Sequence, residues 1–370
     1  MIKNNTTLIV DGNWLLMSRL GVRMDQFDIS LPQRTLEASR KGLVELLAQS
    51  VNTVVRFFGD DIDNVIIVSD GDSWRKYIRR CKLYRDTYKG NRVKDENLDW
   101  NYIWSALNEF KENCKECNIS CFMEKDCEGD DWCWHWSRTL NRHGINAIVW
   151  SSDRDLQQLV QYCKNGSWTA WYNDKKGLVC HRDLELKEDG FFDCLEGFEI
   201  YPQSLEAIIR RLKSTGIDVT YINPLDVCME KVICGDAGDN IKSIIRIDKN
   251  GRTQRVSEKE WESVFESMGR EYEDLEDFKK AAPDIINNLR KLKRFEECKD
   301  SDKDLKNMFL FNMRLVCLDS KYIPAPVKNQ MKKHDKEYGQ ADMESIAGSY
   351  TSMCPDQSVD LGDLFDVENL

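Results

Sequence analysis

Ser151-Ser152-Asp153-Arg154-Asp155-Leu156 lies between two segments of different character. Before it, Ile145 to Trp150 is an apolar run that predicts a buried strand. After it, Leu156 to Tyr162 predicts a helix. Two carboxylates two residues apart then stand at the carboxyl edge of a sheet, where open α/β folds assemble their chemistry. Taken alone the pair is an ordinary helix cap, since Asp is favoured at that position. Recurrence along the chain changes its meaning.

Leu8-Ile9-Val10-Asp11 is another apolar run that ends in an acid, followed by a helix-like stretch from Trp14. Val65-Ile66-Ile67-Val68-Ser69-Asp70 repeats the pattern. Short β-branched runs of this kind suit central strands of a parallel sheet, covered on both faces. Ile119 to Met123 predicts a short fourth strand, and Glu128-Gly129-Asp130-Asp131 opens a helix after it. Leu36, Leu43, Leu46, Leu47 and Val54, and later Trp100, Ile103, Trp104, Leu107 and Phe110, have helical spacing. The alternation predicts an α/β fold with a mostly parallel central sheet flanked by helices. Residues 167–201 predict further strands, 203–213 and 225–234 helices, and 258–315 a highly charged helical stretch. Pro324 and Pro326 mark a boundary before a polar end. The expected organisation is an α/β domain over 1–234, a helical region over 235–320 and a flexible acidic tail over 321–370.

The 370 residues, 41% of them hydrophobic, can build about two domains with proper cores. No window approaches the roughly 18 apolar residues of a membrane span. A strand beginning at Thr7 leaves no room for a signal peptide, so a cytoplasmic protein is expected. On that expectation the fourteen cysteines are reduced thiols. Cys114, Cys117, Cys121, Cys127 and Cys133 are too irregularly spaced to complete a standard zinc pattern. Net charge is −11, yet its distribution matters more than the sum. Residues 72–94 carry nine Lys or Arg against two acids, and 242–259 carry six against two. Residues 355–370 carry five acids and no base.

Each acid alone is more often a cap or a solvated turn than a ligand. Recurrence at equivalent sheet edges favours a metal site. Glu128 and Asp131, three apart, share a helical face and repel one another. Cations relieve such crowding, and sets made only of oxygen ligands suit hard ions such as Mg²⁺ or Mn²⁺. Two ions about 3.5–4 Å apart would clamp the attacking and leaving oxygens of a phosphodiester. In 72–94, Lys and Arg interleave with Trp74, Tyr77, Tyr84 and Tyr88, a composition suited to tracking phosphates while stacking on bases.

These residues resemble the flap endonuclease or 5′ nuclease family, especially its phage 5′→3′ exonucleases and T-even-type ribonuclease H. The resemblance rests on Val10-Asp11-Gly12, Ser69-Asp70, Tyr88-Lys89-Gly90-Asn91-Arg92, Glu128-Gly129-Asp130-Asp131, Ser152-Asp153-Arg154-Asp155 and Gly235-Asp236-Ala237-Gly238-Asp239-Asn240-Ile241. The motifs occur in the family's order over roughly residues 5–245. The resemblance implies two Mg²⁺ ions, replaceable by Mn²⁺. Asp11, Asp70, Glu128, Asp130 and Asp131 would gather around one, and Asp153, Asp155, Asp236 and Asp239 around the other. Lys89, with Arg75 and Arg92, would approach the scissile phosphate. The segment 72–98 would correspond to the family's basic helical arch, with Arg79, Arg80, Tyr84 and Tyr88 meeting nucleic acid. Lys242, Arg246, Arg252 and Arg255 would meet duplex, although the family's glycine-rich hairpin loop is missing after Ile241.

The implied activity is metal-dependent removal of RNA primers or 5′ flaps during DNA replication, with ribonuclease H activity. The substrates would be 5′-flap or nicked DNA and RNA–DNA hybrid, in the host bacterium's cytoplasm if the chain is phage-encoded. The alternatives are a small ribonuclease of the related PIN type, which would not need 72–94, and a catalytically inactive nucleic-acid-binding scaffold. Leu361, Leu364 and Phe365 resemble the anchors of sliding-clamp-binding peptides, although Gln357 is out of register with the usual glutamine. A single-stranded DNA-binding protein is a further expected partner.

Overall fold

The computed structural model describes residues 5–21, 23–84, 86–184, 203–249, 252–343 and 346. Eight strands build the main sheet: β1 (Thr6–Asp11), β2 (Asn64–Val68), β3 (Ser120–Phe122), β4 (Asn146–Trp150), β5 (Gln161–Tyr162), β6 (Trp168–Asn173), β7 (Gly177–His181) and β8 (Val219–Ile222). Their order is β3-β2-β1-β4-β6-β7-β8, with β5 paired to β6. Pairing is parallel from β3 through to β6 and again between β7 and β8, whereas β6–β7 and β5–β6 are antiparallel. The sheet is therefore mixed and mostly parallel. Its order runs outward in both directions from β1 and β4, so a crevice opens beyond their carboxyl ends.

Eleven α-helices occur among the described residues. Those within the sheet's span are α1 (Gly12–Leu20), α2 (Gln33–Phe58), α3 (Trp100–Glu116), α4 (Gly129–Arg142), α5 (Gln203–Ser214) and α6 (Pro224–Cys234). They are followed by α7 (Glu258–Met268), α8 (Leu275–Lys280), α9 (Ala282–Arg290), α10 (Asp302–Val316) and α11 (Ala325–Lys333). Helix α2 buries Leu36, Leu43, Leu47, Val51 and Val54, and stops at Gly59, whose φ of 56° suits glycine. One sheet face carries α1, α2, α3 and α5 over a core that includes Leu8, Leu43, Ile67 and Ile208. The other face is covered by α4, whose Trp132 and Trp136 pack on Phe122 and Val149. A separate core joins α6 to α10.

Four expectations change. Leu156–Tyr162 is not a helix: a 3-10 turn over Arg154–Leu159 gives way to β5. Asn165-Gly166 turns the chain there, with Cys163 N–H donating to the Ser167 carbonyl at 2.8 Å. The basic stretch 72–98 is helical only in the 3-10 turn Trp74–Tyr77, because its apolar side chains pack inward over α10. Tyr84 meets the Phe311 ring at 4.8 Å. The region after Ile241 forms an antiparallel hairpin, β9 (Arg246–Lys249) with β10 (Arg252–Arg255), before the helices.

The fourth change concerns 321–343, expected within a flexible tail. Helix α11 buries Val327 and Met331, and Tyr338 stacks on Trp136 at 5.2 Å. The peptide N–H of Ala341 donates to Asn64 Oδ1, and that of Asp342 to the Cys117 carbonyl, both at 2.8 Å. Polar composition concealed this because the stretch docks through backbone hydrogen bonds and a few widely spaced apolar side chains. Leu361, Leu364 and Phe365 lie outside the described residues. No helix among the described residues is long and apolar enough to cross a membrane.

Candidate active site

The carboxyl edge of the sheet collects acids because a strand that ends in a carboxylate can cap the turn or helix beyond it. Asp11 closes β1 and accepts the Trp14 N–H at 3.0 Å, starting α1. Its other oxygen accepts from Ser151 Oγ at 2.9 Å, which ties the end of β1 to the end of β4. Asp70 lies just past β2; its peptide N–H donates to Asn13 Oδ1 at 3.0 Å, and its carboxylate accepts the Gly129 N–H at 2.5 Å. A Cβ at position 129 would stand 3.0 Å from Asp70 Oδ1, so glycine permits this approach. Asp153 accepts the Asp155 N–H at 2.9 Å. Asp130, on the first turn of α4, has no hydrogen-bond or ion-pair partner among the described residues.

No Lys or Arg among the described residues forms an ion pair with Asp11, Asp70, Asp130 or Asp153. Burial, reinforced by Asp70, pushes the Asp11 carboxyl up to about 7. Desolvation among the clustered acids raises Asp70 too, although the residue stays exposed and the Gly129 N–H and Lys89 pull the other way. Asp130, half-buried, is driven well up by desolvation and by Asp153, and Asp153, although exposed at its turn, is raised by desolvation despite Lys231. Crowded oxygen donors that resist ionisation are what a hard divalent cation would relieve. Among the described residues, no three His, Cys, Asp or Glu groups already form a coordination sphere.

The other five acids are held by cations. Glu128 accepts from Arg75 Nη1 at 2.6 Å, Ser73 Oγ at 2.7 Å and Lys89 Nζ at 2.5 Å. Burial would raise its carboxyl, but Arg75 and Lys89 outweigh that and hold it down at about 2. Asp131 is fully buried and accepts from Trp74 Nε1, Arg75 Nη2 and the Glu128 N–H, each at 3.0 Å. Lys231 Nζ bridges Asp155 and Asp236, the latter at 2.6 Å. Burial would raise Asp236, but Lys231 overcomes it and the carboxyl is lowered. Asp239 meets Arg92 Nη2 at 2.5 Å, Tyr88 Oη at 2.8 Å and Lys89 Nζ at 3.8 Å. The nine acids thus divide by company, whereas the sequence motifs divide them five and four.

Lys89 adopts φ of 54°, and its peptide N–H donates to the Asp239 carbonyl at 2.9 Å. Its side chain reaches Glu128, so one lysine links the Tyr88–Arg92 and Gly235–Ile241 motifs to α4. Arg75, expected at a phosphate, is buried, and its guanidinium is spent on Glu128, Asp131 and the Leu315 carbonyl, the last at 2.9 Å. It positions acids. Tyr84 and Tyr88, expected to meet bases, are buried in the core shared with α10. Their hydroxyls donate to Asn240 O and Asp239. Arg79 and Arg80 are exposed, with Arg80 donating to Thr87 Oγ1 at 3.1 Å. Lys242 pairs with Asp86 at 3.0 Å, and Arg246 and Arg255 are exposed at the hairpin. The Arg252 side chain lies outside what is described.

Sequence reasoning missed Lys231, Ser73, Ser151 and Asn13. Lys231 had a signal: a lone base beside Cys228, Met229, Val232 and Ile233 on a short apolar helix, five residues before Asp236. The three small polar residues had none.

No curated protein matches the chain by sequence. Two solved bacteriophage T5 structures share the fold. One is the T5 5′-exonuclease with divalent zinc ions bound, at 16% identity and a TM-score of 0.54, covering 92% of this chain and 99% of that one. The other is the T5 flap endonuclease in a pseudo-enzyme–product complex with DNA and metal ions, at 16% identity and a TM-score of 0.52, covering 93% and 99%. Residues 6–185 match the 5′-3′ exonuclease N-terminal, resolvase-like domain. That stretch spans β1 to the turn after β7 and carries Asp11, Asp70, Glu128, Asp130 and Asp153, so these acids lie in the part of the chain that matches the 5′-3′ exonuclease N-terminal domain.

Proposed function

We propose that the chain is a divalent-metal-dependent 5′→3′ exonuclease and flap endonuclease that removes RNA primers or 5′ flaps during DNA replication, with ribonuclease H activity. The observation that carries this reading is the meeting of four cation-free carboxylates, Asp11, Asp70, Asp130 and Asp153, at one sheet edge beside Lys89. The donor set fits hard ions, and Mg²⁺ keeps several waters, so such acids need not all touch the metal. Two Mg²⁺ ions, replaceable by Mn²⁺, would supply an activated water and stabilise the leaving oxygen. Asp11, Asp70, Asp130 and Asp153 would hold them, with Glu128, Asp155, Asp236 and Asp239 able to join as their lysines turn to substrate. Lys89 and Arg92 would move from Glu128 and Asp239 to the scissile phosphate and offset its charge. Arg75 would keep Glu128 and Asp131 in register throughout. Exposed Arg79, Arg80, Arg246 and Arg255 would follow the nucleic-acid backbone.

The bound DNA and metal of the T5 relatives support the same reading for this chain. A sliding clamp, engaged through Leu361, Leu364 and Phe365, and a single-stranded DNA-binding protein belong to this proposal as partners. The test is digestion of labelled 5′-flap DNA and RNA–DNA hybrid with Mg²⁺ and with EDTA. Cleavage of both with Mg²⁺ and of neither with EDTA is expected. Persistent cleavage in EDTA would overturn the metal-dependent reading, and inertness toward both substrates would favour the scaffold.

A further inference from the structure

Helix α4 carries the acids at its amino end, and a second feature lies at its other end. A cavity of about 690 Å³ opens between α4, the β5–β6 hairpin and α11. Arg138 lies eight residues beyond Asp130, about 12 Å along the axis at 1.5 Å per residue, so this hollow is separate from the acidic cleft. Its lining includes five cations, Arg138, Arg142, Lys164, Lys328 and Lys332, against one carboxylate, Asp319.

None of these five cations forms an ion pair among the described residues. Arg138 donates Nη1 to the Leu159 carbonyl at 3.1 Å and forms no ion pair among the described residues. Burial pulls its guanidinium down to about 10, with Cys163 and then Asp319 only partly opposing. Arg142 reaches Thr139 Oγ1 at 2.9 Å, and Lys328 Nζ donates to the Ser320 carbonyl at 2.6 Å. Asp319 Oδ1 accepts the Lys321 N–H at 2.8 Å, and Asp335, which is not part of the lining, meets His135 Nε2 at 2.7 Å. A basic rim alone would be a solvated surface. A half-buried guanidinium whose one acceptor is a backbone carbonyl is different, because a partly desolvated charge gains from an anionic partner.

We propose that this cavity binds a phosphomonoester group, carried by a free nucleoside phosphate or by the end of a nucleic-acid strand. Its size lies within the range of small-molecule sites, and Trp134 and His135 give it flat walls. Arg138 offers a planar fork to phosphate oxygens, with Lys328 and Lys332 as point charges. Recognition is indifferent to the base: Asn141 at the back spends its amide on the Ile145 and Trp168 carbonyls and its oxygen on Thr169 and Gln161.

The experiment titrates the full chain in EDTA, so that cleavage plays no part. The probes are adenosine 5′-monophosphate, adenosine, and short oligonucleotides that differ only in a 5′-phosphate or 5′-hydroxyl. A phosphate-bearing probe should bind at least about tenfold tighter than its phosphate-free counterpart. Lys328→Ala/Lys332→Ala should reduce that binding about tenfold. Arg138→Gln should do the same as the lysine pair, with a melting curve to show that it folds. Tighter binding of the phosphorylated oligonucleotide than of the mononucleotide identifies a strand end, and the reverse identifies a free nucleotide. Equal binding of phosphorylated and unphosphorylated probes, full binding by the folded lysine-pair variant, or no binding at all overturns the proposal.

Discussion

Asp130 and Asp131 are neighbours in sequence and opposites in circumstance. Asp130 faces other carboxylates with no cation in contact, whereas Asp131 is enclosed by Trp74, Arg75 and the Glu128 peptide. The same division runs through the whole sheet edge, with Asp11, Asp70 and Asp153 on the first side and Glu128, Asp155, Asp236 and Asp239 on the second. Residue type and motif therefore do not assign a role here. A carboxylate already neutralised by lysine or arginine supports the architecture; one left in repulsion is where a divalent ion gains most.

The sharpest way to break this contrast is Asp130→Asn. Single-turnover cleavage in Mg²⁺ should fall by about a thousandfold or more, since one site charge is lost. In EDTA the same variant should melt no lower than the parent, because it sheds a charge held among like charges. A drop in melting temperature would move Asp130 into the neutralised group. Arg75→Met tests the other side. Glu128 and Asp131 would be left buried without their cation, and a loss of about 3–5 kcal/mol is expected in denaturant titration. A loss below about 1 kcal/mol would mean that Arg75 is not what holds the pair.

Lys231→Ala should convert Asp155 and Asp236 from the second class into the first. Stability in EDTA should fall by about 1–2 kcal/mol, and Mg²⁺ should restore more of it than it adds to the parent. Equal Mg²⁺ effects on both proteins would separate these two acids from the metal-binding group. The smallest effect concerns a neutralised pair far from chemistry. Burial pulls His334 down, but hydrogen bonds to Glu337 and Glu124 overcome it and leave the imidazole raised. Its contribution is complete below the ordinary histidine value of about 6.5 and fades as pH rises through the raised folded value. His334→Gln should therefore cost stability at pH 5.5 and nothing at pH 9. A pH-independent cost would mean packing alone.

Much of this edge was legible because strands that end in acids announce themselves through β-branched runs, as at Val65–Asp70. The long helices α2 and α3 were equally plain from their apolar spacing. The company of each acid was not legible, since Lys231 reaches Asp155 across 76 residues and no local pattern encodes that contact. Aromatic residues misled for a related reason. Interleaved with bases, Tyr84 and Tyr88 have the composition of a stacking surface, and only the partner helix α10 reveals them as core. The hairpin that draws Gln161–Tyr162 into the sheet turns at Asn165-Gly166, beyond the apolar stretch Leu156–Tyr162 that reads as a helix.

Arg75 Nε donates to the carbonyl of Leu315, 240 positions later in the chain. A growing chain released from its amino end completes β1, β2 and α4 long before that acceptor exists. Until residue 315 emerges, Arg75 lacks an anchor, Tyr84 lacks Phe311, and the Glu128–Asp131 turn has an incomplete lock. Contacts of such high sequence separation are slow to close. The acidic cleft therefore acquires its final shape late in synthesis, and nascent chains that stop short of α10 should hold the sheet without a finished site.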